Sequence, residues 1–211
     1  MFKLPFTFVK PAYLTAHTVI PVTLICVLLY VLLPERHIDQ PAGMLAAEKP
    51  ALTLLGKTAP FEVKGYAVTL LANYDLTARV LDKAIYHWGQ GADIAPVDLV
   101  LGWKDMSNSA ILRYFKFHVS NRWYTWRTDE LPMDEAEINL DLDNNHLIPS
   151  TEAIDQQLKA VRVGRVVHIK GYLVSLDGKD GGNWHSSLSI GSTGGPMSCK
   201  LIYVMSFEVV Q

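Results

Sequence analysis

A chain of 211 residues with 19 Lys and Arg against 21 Asp and Glu, a formal net charge of −2, has no basic field to hold nucleic acid, and its cations are scattered rather than striped. Its two cysteines, Cys26 and Cys199, give no disulfide framework. The seven histidines, His17, His37, His87, His118, His146, His168 and His185, never fall at HxH or HxxxH spacing, so no local metal site is written and no cofactor is called for.

In chain order, the first strong signal is Leu14–Leu33, LTAHTVIPVTLICVLLYVLL, which holds no Asp, Glu, Lys or Arg. Roughly 20 apolar residues at about 1.5 Å rise span a hydrocarbon core, so the expectation is one transmembrane helix. Tyr13 and Tyr30 suit its two interfaces and Pro21 lies within it, making these three the candidate anchor residues. Lys3 and Lys10 precede the run and Glu35 and Asp39 follow it, which places the N-terminus in the cytoplasm and the rest in the periplasm. A cleaved signal peptide is the rival reading, weakened because no small-x-small site follows Leu33. The expected organisation is a cytoplasmic tail over 1–13, the helix over 14–33, a Pro- and Gly-containing linker over 34–60 and an extracytoplasmic domain over 61–211.

Within the domain, Phe61–Leu71 alternates as a half-buried strand. The stretch 74–88 fits strand or helix; Tyr74, Leu76, Ala78 and Val80 favour a strand through Leu81, followed by a loop. Val97–Trp103 reads as an apolar strand, and Asp105–Leu112 as one or two helical turns capped by Asp105 or Ser107. Phe115–Val119 and Arg122–Arg127 form a hairpin about Ser120–Asn121. Asp134 and Glu137 have capping-box spacing, and Ser150 or Thr151 can cap a second helix whose face is Ile154, Leu158 and Val161. His146 falls in a turn before Leu147-Ile148-Pro149. Strands follow from Arg165, over Asn183–Ser189, and from Lys200 to Val209, where Leu201, Tyr203, Met205, Phe207 and Val209 share a face. The fold class expected is mainly β with one or two short helices, an antiparallel small barrel or sandwich of OB-like pattern, preceded by the single transmembrane helix.

The motifs PVDLVLGWKDMS at Pro96–Ser107, NNHLIPS at Asn144–Ser150, VGRVVHIKGYLV at Val163–Val174 and WHSSLS at Trp184–Ser189 resemble those of an uncharacterised family of bacterial envelope proteins, with the pattern PVDLxLGW, HLIP, VxxxGYLV, WxSSL and a late Cys. The resemblance covers most of Pro96–Val204 and departs at Lys104 and Gly191–Gly195. It implies a bacterial protein with one domain, and no activity.

Nucleophile candidates are Ser186, Ser187 and Cys199, with His185 or His146 as base, but no G-x-S-x-G elbow is present. Asp177 and Asp180 sit in a glycine-rich turn that lacks a calcium loop's ligand series. No acid, base and nucleophile pattern is visible, which weighs against an enzyme. Arg122, Trp123, Tyr124, Trp126 and Arg127 put aromatics and Arg on both faces of one strand, the residue types of interface hot spots. The expected function is a membrane-anchored accessory or scaffold subunit whose partners are membrane or envelope proteins and the lipid bilayer. Two alternatives stay open: an envelope hydrolase acting on cell-wall or peptide substrates, and a barrel binding a small ligand or oligosaccharide.

Overall fold

A computed structural model describes residues 37–89, 91–178, 182–192 and 198–211. Among them the strands are β1 (Ala51–Leu54), β2 (Phe61–Val63), β3 (Tyr66–Ile85), β4 (Val97–Gly102), β5 (Phe115–Ser120), β6 (Trp123–Thr128), β7 (Leu142–Pro149), β8 (Val166–Asp177), β9 (Asn183–His185) and β10 (Lys200–Val209). A 3-10 turn, Lys104–Ser107, and helices α1 (Ser109–Leu112), α2 (Glu135–Leu140) and α3 (Glu152–Ala160) lie between them.

The long strand β3 organises the sheet. A 20-residue strand would reach about 66 Å if straight. It changes partner at Arg79, with Ala67–Arg79 paired to β8 and Arg79–Ile85 to β4, and a register shift interrupts each stretch, at Leu70/Ala72 and at Val80/Asp82. Partners then run β4 to β7, β7 to β10 and β10 to β8, with β1 and β2 on β3 and β9 on β8. β5 and β6 form a separate two-stranded sheet.

Tyr74, Leu76, Ala78 and Val80 enter one core with Leu99, Leu147, Leu173 and Ile202, closed by Ile154 and Leu158 of α3 and by Val161 just after it. Thr151 starts that helix by accepting the Ile154 amide at 3.2 Å, a cap worth about 1 kcal/mol. The opposite side of β4 and β7 carries two smaller cores. The hairpin and Ile138 cover Val100 and Leu142, while Ile94, Val174, Leu176 and Leu201 surround Ile148.

Several expectations are corrected. The sheet is mixed rather than antiparallel, because β7 and β10 run parallel, and the domain is mostly β with few short helices. No helix among the described residues is long and apolar enough to cross a membrane; Leu14–Leu33, with Tyr13, Pro21 and Tyr30, lies outside the described residues. That finding corrects the expected transmembrane helix, the single-pass inner-membrane placement and the membrane-anchored scaffold function.

From His37 onward the segment read as a linker belongs to the domain: the Ile38 amide bonds the Val163 carbonyl at 2.8 Å, and Ser107 Oγ receives the Leu45 and Ala46 amides at 3.1 and 3.0 Å. Ser107 is thereby occupied, and Asn108 caps α1 through the Ala110 amide. Lys64-Gly65 turns the chain inside Phe61–Leu71, β3 runs on to Ile85, and β9 stops at His185. The Val204/Ser206 shift breaks the alternation of β10, so Ile202, Val204 and Phe207 are core and Met205 is 50% exposed. His146 lies within β7 rather than in a turn.

Candidate functional site

Every residue of β7 is buried, although its sequence begins LDNNH. Alternation sends Asp143, Asn145 and Leu147 to the first core and Leu142, Asn144, His146 and Ile148 to the other side. On the first side Asp143 and Lys200 form an ion pair, both side chains fully buried. Burial raises the Asp143 carboxyl to about 7 against the pull of Lys200. Burial, then the Asp143 charge, raises the Tyr74 hydroxyl as well.

On the other side Asp98 of β4 stands directly across the ladder from His146. His146 Nδ1 is 2.9 Å from Asp98 Oδ1, though off the line of a hydrogen bond. Arg122, at the hairpin turn, donates through Nη1 to Asp98 Oδ1 and to the Ala95 carbonyl, both at 2.8 Å. Its guanidinium lies 3.8 Å from the centre of the Tyr86 ring and 5.5 Å from that of Trp184. Trp184 also packs on His146, with centroids 4.6 Å apart. The Tyr86 hydroxyl accepts the Arg122 amide at 3.1 Å; burial and then the Asp98 charge raise its pKa.

Gly91 sets Trp184 in place. It holds φ +70°, and a Cβ there would come within 2.8 Å of the indole. Trp184, Gly91, Tyr66, Asp93 and Asn183 line an open cleft of about 290 Å³. A second cleft, about 460 Å³, runs between Ile38 and β5, and several of its polar groups are engaged: Arg79 donates to Ser109 Oγ, and Asp82 accepts the Lys83 and Val119 amides.

The nucleophile candidates have structural work. Ser186 Oγ accepts the Leu201 amide at 3.0 Å, and Ser187 Oγ lies 2.7 Å from Ser189 Oγ. Cys199 is buried against Asn144 Nδ2 at 3.6 Å, and burial pushes its thiol up to about 11, so it is protonated at neutral pH. His146 is 2% exposed beneath Trp184, whereas His185 faces solvent. No group of three His, Cys, Asp or Glu that could hold a metal occurs among the described residues, and Asp180 lies outside them.

Of the five aromatic-strand candidates, Arg122 enters the cluster with Asp98. Tyr124 is buried, and Trp123 and Trp126 are half-buried against the hairpin core, Trp126 edge-on to Phe115 at 5.5 Å. Arg127 is exposed. Asp98, Tyr86 and Trp184 escaped the sequence reading. A single carboxylate inside the apolar run VDLVLG was the available signal for Asp98, since a charge in a fully buried strand needs a partner. Comparisons of the chain with family models, curated proteins and solved structures find no match.

Proposed function

We propose that this domain is a recognition module that docks a polypeptide through the loop after β3. The observation that carries the reading is Trp88, 83% exposed beside His87, on a loop whose base is fixed. Tyr86 donates its amide to the Pro96 carbonyl at 2.8 Å, and the Ala95 amide bonds the Gly91 carbonyl at 2.8 Å. A tryptophan offered from a held base loses little chain entropy on docking. Burying roughly 200 Å² of it at about 25 cal/mol per Å² is worth up to about 5 kcal/mol before those costs.

The cluster beneath the loop supports binding over turnover. The Asp98–His146 contact is sealed by Trp184, and the Cys199 thiol is held protonated. The test is selection of binders from a displayed peptide library by the domain, with Trp88→Ala as counter-selection. Selected peptides should lose about 30-fold or more in affinity on Trp88→Ala, the hot-spot range. The melting temperature should stay unchanged, because the side chain touches little of its own domain. Peptides indifferent to Trp88 would refute the reading.

A further inference from the structure

Arg122 is held as a bound ligand would be. Its guanidinium has an aromatic ring 3.8 Å away in Tyr86, a second in Trp184 and a buried carboxylate in Asp98. We propose that Tyr86, Trp184 and Asp98 form a guanidinium-binding site which Arg122 fills in cis, and which takes an arginine side chain of another polypeptide when the hairpin turn withdraws.

Three observations carry this. The first is an incomplete fit: Arg122 reaches Asp98 Oδ1 through Nη1, while buried Asp98 Oδ2 makes no well-aligned hydrogen bond, even with the Tyr86 hydroxyl near enough to Asp98 for the carboxylate to raise its pKa. A guanidinium free of the hairpin can take both oxygens in the two-pronged geometry that suits the pair, and so satisfy an atom that Arg122 leaves open.

The second is backbone strain in the plug. Asn121 and Arg122 hold φ +50° and +64°, the left-handed pair of a tight hairpin turn, for which Asn-Gly is the favoured sequence. Arginine in the glycine place costs backbone energy that the cluster must offset.

The third is the plug's attachment. Among the described residues β5 and β6 share no ladder with the eight-stranded sheet. Asn121 and Arg122 are tied to their surroundings by the Arg122 contacts, the Tyr86 hydroxyl and the bond from Asn144 Nδ2 to the Arg122 carbonyl at 3.3 Å, so these two residues can lift without breaking a strand pairing while Asp82 holds Val119 and Tyr124 stays in the hairpin core.

The test uses Arg122→Gly, which suits the turn and empties the seat, titrated with methylguanidinium at millimolar concentration, far below the denaturing range. Binding is read as the rise in melting temperature and the displacement of the Trp184 indole resonance. Saturable binding to Arg122→Gly is expected, with little response from the wild type, whose seat is filled, and none from Arg122→Gly/Asp98→Asn. Urea, flat but uncharged, should not substitute. If Arg122→Gly does not fold, Arg122→Gln carries the same titration, and folding of either variant only with methylguanidinium supports the site. A folded variant with no saturable response, or equal responses in all three proteins, overturns it. For filling in trans, an arginine-containing peptide in excess should speed hydrogen exchange of the Arg122 amide, which the Tyr86 hydroxyl accepts, in the wild type and its lysine counterpart should not; no difference between them overturns that part.

Discussion

Asp143 shows how a single buried group sets a pH dependence. The unfolded carboxyl ionises near its ordinary value of about 4, and the folded one at about 7. Between those limits the folded chain binds more protons, so the stability contributed by this group is complete below about pH 4 and declines as pH rises through 7. Urea unfolding across that window should show the decline in the wild type, and a flatter profile in Asp143→Asn. Identical slopes would mean that Asp143 titrates normally. At Gly91 the expectation is steric: Gly91→Ala forces the new methyl toward the Trp184 ring in a left-handed backbone, and should cost about 1–3 kcal/mol. The Trp184 indole resonance should shift with it; an unchanged resonance would show that Gly91 does not seat the ring.

At the scale of elements, the hairpin separates packing from recognition. Tyr124 is 5% exposed among Val100, Phe115 and Leu142, and Tyr124→Ala should cost about 3 kcal/mol or more. Arg127→Ala, on the solvent side, should stay within about 0.5 kcal/mol. Equal costs by chemical denaturation would mean that the strand faces are assigned wrongly. The alternation of Tyr74, Leu76, Ala78 and Val80, the hairpin and the Thr151 cap were legible because each depends on local pattern. β7 was not, because Asn144-Asn145-His146 carries turn chemistry in sequence and becomes a strand only when two strands and the hairpin enclose it. The break at Met205 in β10 was hidden too, since a register shift answers to the partner strands rather than to the strand's own residues. In the site, Arg122 and His146 were singled out by residue type, but nothing local joins them to Asp98 or Trp184.

For the whole molecule, the segment from Ile38 to Ala46 belongs to the folded unit. Gly164 shows how closely it is laid down: at φ +94°, a Cβ would stand 2.1 Å from the Ile38 carbonyl oxygen. Gly164→Ala should lower the hydrogen-exchange protection of Ile38, whose amide bonds Val163, more than that of β7. Equal loss at both would indicate global destabilisation instead. With that segment and the sheet in one unit, and the Tyr86 and Ala95 amides bonded at its foot, the loop bearing Trp88 stands on a fixed base, which is the central claim. The most direct measurement is the affinity of library-selected peptides for the wild type and for Trp88→Ala at equal melting temperature. A loss of about 30-fold or more is the expected result. Affinity unchanged by removing Trp88 would contradict the account.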